Sequence, residues 1–157
     1  INDAIDHSIN DPSWRMNLGH LHYFAGGDEV ALARLYGSRP PANDALWEVA
    51  RKQGFDVKVF DRRFGKERRV HNQLQADIME DAYERINKDT DTVVIVAGDQ
   101  DHIPVIEKLK TKGIRVEVMF WRHASAAMKT IPDAFIELDP HFEHLTLSAM
   151  KNAKTTP

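Results

Sequence analysis

Cysteine is absent from the 157 residues, which excludes both disulfides and a thiolate metal site. A chain without thiols suits a reducing compartment, so we expect a cytoplasmic protein. Long apolar runs are absent as well: the longest, such as residues 93–97, fall far short of the roughly 20 residues that cross a bilayer. The formal net charge is only -3, which argues against a globally basic nucleic-acid binder but leaves room for a local basic cluster.

The residue patterns that are present predict strands alternating with helices. Strands are expected at residues 30–36, 56–60, 92–97, 114–120 and 134–138, and helices at 45–53, 70–87, 103–112, 124–129 and 142–150. This alternation predicts an α/β fold, a three-layer sandwich with a mostly parallel central sheet. We expect one domain over residues 1–150 and a flexible tail over residues 151–157.

Two aspartates follow the most continuous aliphatic strand, in the segment Gly98, Asp99, Gln100, Asp101. Ligands of parallel sheets gather beyond the carboxyl ends of the strands. Two carboxylates about 4 Å apart repel by roughly 4 kcal/mol at an effective dielectric near 20, so their clustering favours a bound cation. Hard oxygen ligands suit Mg²⁺ or Mn²⁺. The alternative interpretation is that one aspartate caps the next helix and the other is solvated.

A third carboxylate, Asp77, lies close to the apolar stripe of the helix predicted at residues 70–87. A carboxylate in that position requires a partner. Either it points toward Asp99 and Asp101, or it forms a salt bridge with a neighbouring arginine. Asp81, one turn later, is expected on the solvated face of the same helix.

Residues 61–69 form a predicted loop that carries five basic side chains and the aromatic Phe64. Basic clusters bind phosphate polymers through counterion release, and an interleaved aromatic ring can stack on an unpaired base. The alternative is an ordinary solvated run of charge. The basic residues are Arg62, Arg63, Lys66, Arg68 and Arg69.

Three segments taken together resemble the NYN domain family, the LabA-like branch of the PIN-like metal-dependent nucleases. Residues 36–41, followed by residues 46–47 and 54–55, resemble the family's second-strand region. Residues 65–67 with Val70, Leu74 and Asp77 resemble the start of its acidic helix. Residues 93–101 resemble its signature strand, which ends in Ser-Gly-Asp-x-Asp-Phe, and residues 104–138 resemble the family's segment after that strand.

The resemblance implies a PIN-like fold and a metal-dependent ribonuclease that uses Mg²⁺ or Mn²⁺ to hydrolyse phosphodiester bonds of single-stranded RNA, with endonucleolytic action favoured over exonucleolytic action. Asp77, Asp99 and Asp101 would be its catalytic and metal-binding residues. The expected substrate-binding residues are Ser38, Arg62, Arg63, Lys66, Arg68, Arg69 and His71.

The sequence departs from the family in two places. The family's first strand ends in an Asp-x-x-Asn motif, and we expect this chain to lack that strand because it opens with Ile1, Asn2 and Asp3. His71 stands where the family has the aspartate that opens the acidic helix. A catalytically weakened RNA-binding or regulatory module is therefore an alternative, and a phosphatase is a third, because strand-end Asp-x-Asp motifs recur in phosphoryl transfer. The oligomeric state stays open, a homodimer included.

Overall fold

The computed structural model describes residues 14–38, 45–60 and 66–148. These residues group into two compact units. The first unit covers Asn17–Asp77, and the second takes the described residues of 1–16 and 78–157. The expectation of one domain over residues 1–150 stays a prediction.

The first unit is built around two parallel strands, β2 (Arg34–Ser38) and β3 (Asp56–Phe60). Parallel neighbours need a crossover connection, and helix α2 (Ala45–Lys52) lies between them in the chain. Helix α1 (Leu18–Ala25) precedes β2, and helix α3 (Lys66–Glu84) follows β3. Asn17 caps α1 by accepting a hydrogen bond from the His20 amide at 3.1 Å. Gly54, with φ of 95°, follows the end of α2, where a left-handed residue is needed.

The second unit contains a parallel three-stranded sheet with β5 in the middle. Its strands are β4 (Thr92–Ile95), β5 (Arg115–Phe120) and β6 (Ala134–Glu137), and helices α4 (Ile103–Thr111) and α5 (Ala126–Thr130) connect them. A separate antiparallel pair joins β1 (Trp14–Met16) to β7 (Thr146–Ser148), which follows helix α6 (Phe142–Leu145). The core is the central strand together with the apolar sides of these helices, and it includes Ile106, Leu109, Val116, Val118, Trp121, Met128 and Leu145.

The central position of β5 determines where polar side chains collect in the second unit. All three strands of its sheet run in the same direction, so the residues that follow β4, β5 and β6 emerge at one edge. Ile95 pairs with Val118, which brings the segment after β4 beside the segment after β5. Polar residues of these two segments are therefore neighbours across the sheet edge.

The α/β fold with parallel strands is confirmed, but several boundaries differ from the sequence predictions. Residues 66–69 belong to α3 rather than to a loop, and the first predicted strand lies at Arg34–Ser38 rather than at residues 30–36. Residues 146–148 form strand β7 instead of continuing a helix, because Thr146 and Leu147 pair with β1 across the sequence. No helix of the described residues is long and apolar enough to span a membrane.

Candidate metal and nucleic-acid site

The structure brings Asp99 and Asp101 together at the carboxyl end of β4. Residues 96–99 leave the strand, and Gln100–His102 form a single 3-10 turn before α4 begins at Ile103. Both aspartates are exposed, and their carboxylates offer oxygen atoms within 4.8 Å of one another. Two oxygens at such a separation can both reach one ion through bonds of about 2.0–2.6 Å. The donor chemistry fits a hard divalent cation.

The capping interpretation of this segment is also realised in the structure. Asp99 Oδ1 accepts a hydrogen bond of 2.9 Å from the Asp101 amide, so Asp99 caps the 3-10 turn. The bond fixes the Asp99 side chain relative to the backbone of Asp101. Capping does not prevent metal binding, since each carboxylate has two oxygens and several acceptor sites.

Gly98 holds the acidic segment against β5. A Cβ atom at this position would overlap the ring of Phe120, the last residue of β5. The Gly98 carbonyl accepts a hydrogen bond of 3.2 Å from the Ser125 amide. The turn that carries Asp99 is therefore attached to the neighbouring strand and loop, and only glycine permits that close approach.

Asp77 lies in the first unit within a network of three donors. Tyr36 Oη and Lys58 Nζ each lie 2.7 Å from Asp77 Oδ2, and Gln73 Nε2 lies 2.9 Å from Oδ1. Tyr36 and Lys58 are register partners on β2 and β3, so their side chains reach α3 from adjacent strands. Of the alternatives that the sequence left open, the structure contains a salt bridge, made by Lys58 rather than by an arginine.

The network keeps Asp77 ionised although its side chain is buried. Burial alone would raise the pKa of the carboxyl, but the hydrogen bonds from Lys58, Tyr36 and Gln73, with the charge of Lys58, outweigh it and hold the pKa below its ordinary value. Asp77 is thus a charged carboxylate at neutral pH. Its convergence with Asp99 and Asp101 stays a prediction.

Asp81 was expected on a solvated face, and that expectation is wrong. Asp81 is only 8% exposed, and its Oδ1 accepts a hydrogen bond of 2.5 Å from Nη1 of Arg85, one turn later in the helix. An arginine four residues away can neutralise a carboxylate within one helix, which allows burial that the charge pattern alone does not suggest.

The structure describes only some of the predicted substrate-binding residues. Arg69 is exposed, with its guanidinium carbon 5.5 Å from the centroid of the Phe60 ring, and His71 is half-buried on α3. Ser38 ends β2. Arg62 and Arg63 lie outside the described residues, and nothing is described of the side chains of Ser38, Lys66 and Arg68.

Sequence reasoning did not identify the three partners of Asp77. Gln73 could have been found, since it precedes Asp77 by four residues and must lie on the same side of the helix. Tyr36 and Lys58 could be identified only from the strand register, which the sequence does not provide.

His102, which adjoins the acidic pair, is buried, in accord with a packing role.

Comparison with known proteins places this architecture in a family. The model of the NYN domain matches residues 9–139, and the chain belongs to the NYN domain family. Its acidic strand end therefore has the setting of a nuclease-like fold. No curated protein matches the chain.

A solved structure has the same fold. It is the crystal structure of a protein of unknown function from Vibrio parahaemolyticus, 22% identical in sequence, and the superposition has a TM-score of 0.69. The match covers 85% of this chain and 83% of the other. The likeness supports the α/β, PIN-like fold.

Proposed function

We propose that the protein is a metal-dependent ribonuclease that hydrolyses phosphodiester bonds of single-stranded RNA, endonucleolytically and in the cytoplasm. The observation that carries the proposal is the pair of exposed carboxylates, Asp99 and Asp101, with oxygens within 4.8 Å at the carboxyl end of a parallel strand. Membership of the NYN family supports it, since this acidic strand end resembles the family's signature segment and lies within the matched residues 9–139.

Asp99 and Asp101 would hold Mg²⁺ or Mn²⁺, and we assign Asp77 to the same acidic set because it matches the family's pattern. When bound, the ion supplies a water of lowered pKa and neutralises charge on the phosphate. The protein contributes orientation: the Asp101 amide fixes Asp99, and the packing of Gly98 on Phe120 fixes the turn. Lys58, Tyr36 and Gln73 keep Asp77 ionised.

The RNA would be bound by the basic segment that follows β3. Arg62, Arg63, Lys66, Arg68 and Arg69 provide charge for phosphates, and we add His71 and Ser38 as polar contacts. Arg69 is exposed, as a phosphate contact requires. The net charge of -3 makes such a local cluster necessary, because the chain as a whole repels RNA.

The test combines a cleavage assay with a binding assay. Circular single-stranded RNA is incubated with the protein and Mn²⁺ or Mg²⁺, since opening of a circle reports endonucleolytic cleavage. Asp99→Asn and Asp101→Asn should abolish opening and weaken Mn²⁺ uptake in calorimetry. Asp89→Asn is the matched control, because Asp89 is an exposed acid that precedes β4, at the opposite end of that strand. It should behave as the wild type.

Two outcomes would replace the proposal. Binding of RNA without cleavage in either metal would identify an RNA-binding module, an alternative that the histidine at position 71 supports. Hydrolysis of p-nitrophenyl phosphate with RNA left intact would identify a phosphatase. Absence of Mn²⁺ and Mg²⁺ uptake would refute the metal site itself.

A further inference from the structure

We propose that the exposed ring of His123 is a stacking platform for a base of single-stranded RNA, beside the turn that carries Asp99 and Asp101. The inference rests on the proposed function, because it assigns a nucleotide contact to the same sheet edge. His123 belongs to the loop that follows β5, at residues 121–125, whose contribution to the site described above is the backbone hydrogen bond from Ser125 to Gly98.

The position of His123 follows from the strand order. Strand β5 neighbours β4, so the loop after β5 lies beside the turn after β4. Two contacts join loop and turn: the Ser125 amide donates to the Gly98 carbonyl at 3.2 Å, and the Phe120 ring packs against Gly98. The centroid of the same Phe120 ring is 5.7 Å from that of His123, with an interplanar angle of 62°. One aromatic ring thus contacts both the acidic turn and His123.

The loop directs His123 outward. Phe120, Trp121 and Ala124 are buried, whereas Arg122 and His123 between them are exposed. The buried residues on either side of this pair anchor the loop in the core, and the exposed His123 ring remains available to a ligand. The edge contact with Phe120 restricts the imidazole ring without burying it.

The loop is also braced, which reduces the entropy lost when a base stacks on it. The Arg122 amide donates to Asp139 Oδ2 at 2.6 Å, and the Arg122 carbonyl accepts from Lys129 Nζ. The Ala124 amide donates to the Trp121 carbonyl at 3.0 Å and closes the turn. A ligand therefore meets a preorganised ring.

Base stacking is the contact that this arrangement favours. Proteins that bind single-stranded RNA place unpaired bases on aromatic side chains, histidine included. Without a bound cation the exposed carboxylates next to the loop repel phosphate, but they do not repel the uncharged face of a base. A base adjoining a phosphate that a cation holds at the acidic pair would extend over the neighbouring strand end, where His123 lies.

The test uses a single-stranded RNA oligonucleotide with one 2-aminopurine, whose fluorescence falls when the base stacks. Titrations are run in Ca²⁺, and gels verify that the RNA stays intact. His123→Ala and His123→Gln should raise Kd about 5- to 150-fold, the range that loss of one base–aromatic stack produces. Both should also lose the fluorescence quenching, and His123→Phe should restore both properties.

Tyr83→Ala is the matched control. Tyr83 is 78% exposed, and its ring centroid lies 4.1 Å from Lys112 Nζ. Because Lys112 precedes β5, Tyr83 lies at the opposite end of the same sheet from His123. Its loss should leave Kd and quenching unchanged. Far-ultraviolet circular dichroism checks that every variant is folded.

The proposal is overturned if His123→Gln binds as the wild type while His123→Phe does not, since that pattern identifies a hydrogen bond instead of a stack. Unchanged binding by all three variants overturns it as well. The readout does not require cleavage, so a protein that binds RNA through His123 without hydrolysing it would refute only the ribonuclease. No RNA binding by the wild-type protein would refute both.

Discussion

Lys58 Nζ lies 2.7 Å from Asp77 Oδ2, and the two side chains differ sharply in exposure, at 36% for the lysine and 6% for the aspartate. The lysine reaches from β3 to a carboxylate buried on α3. Its ammonium therefore compensates a charge that has little access to water, while its stem remains partly solvated. The pair connects a strand and a helix of the first unit, so it stabilises that unit in addition to any role in the acidic set.

Lys58→Met should destabilise the protein because it leaves the Asp77 charge buried without its cation. Removing one partner of a fully buried pair costs about 3–5 kcal/mol, and the partial exposure of Lys58 reduces the expected loss to about 1–3 kcal/mol. Equilibrium unfolding in urea measures it. The loss should shrink when Asp77→Asn is made in the same chain, because the uncompensated charge is then removed.

The control for this experiment is the exposed pair of Arg51 and Glu48 on α2 in the same unit, with Nη1 and Oε1 2.6 Å apart. Arg51→Met should cost less than about 1 kcal/mol, as surface ion pairs do. Equal losses in Lys58→Met and Arg51→Met would contradict the assignment of a compensating role to Lys58.

Acid should remove the contribution of Asp77 to stability. Its folded-state pKa lies below the unfolded value of about 3.9, so folding is favoured by the charged form above that pH. As the pH falls below about 3.9, the unfolded chain takes up the proton first, and the contribution disappears once the pH passes the lowered folded-state pKa. Urea unfolding between pH 3 and pH 7 should show a steeper acid loss for the wild type than for Asp77→Asn. Parallel pH profiles would refute this linkage.

Much of the fold could be predicted because its elements carry local signals. Strand β3 was predicted with its observed bounds, and α2 and α4 end within one residue of the prediction, since Gly54 and Gly113 mark the ends of both helices. The pairing of β1 with β7 could not be predicted, since it joins segments more than 100 residues apart and depends on register.

The candidate site was only partly predictable for the same reason. Asp99 and Asp101 are two residues apart, so the sequence alone placed them at one strand end. The surroundings of Asp77 depend on Tyr36 and Lys58, which become neighbours only through the pairing of β2 with β3. The contact between Phe120 and Gly98 likewise requires knowledge of which strand lies next to β4.

Gly98→Ala should disturb the acidic turn through Phe120. The added methyl group overlaps the ring, so either the ring or the turn must shift, and overpacking of this kind costs about 1–3 kcal/mol. Both the affinity for Mn²⁺ and the stability of the fold should fall, because Asp99 adjoins the displaced residue. Calorimetry and urea unfolding test both effects. Phe120→Leu in the Gly98→Ala background relieves the overlap and should recover part of the Mn²⁺ affinity. If the double variant binds Mn²⁺ more weakly than Gly98→Ala, the overlap with Phe120 does not explain the loss.

The basic segment should contribute to RNA binding mainly through counterion release. Each phosphate contact adds to the dependence of affinity on salt, so Arg62→Ala combined with Arg63→Ala should weaken binding and flatten the plot of log K against log salt concentration. For single strands the slope should become less steep by about 0.7 per lost contact, or about 1.4 for both. Fluorescence anisotropy of a labelled oligonucleotide at several salt concentrations measures it. Arg115→Ala is the control, since Arg115 is an exposed arginine that begins β5 and lies outside this segment. A slope that is identical in the double variant and the wild type would refute phosphate contacts by Arg62 and Arg63.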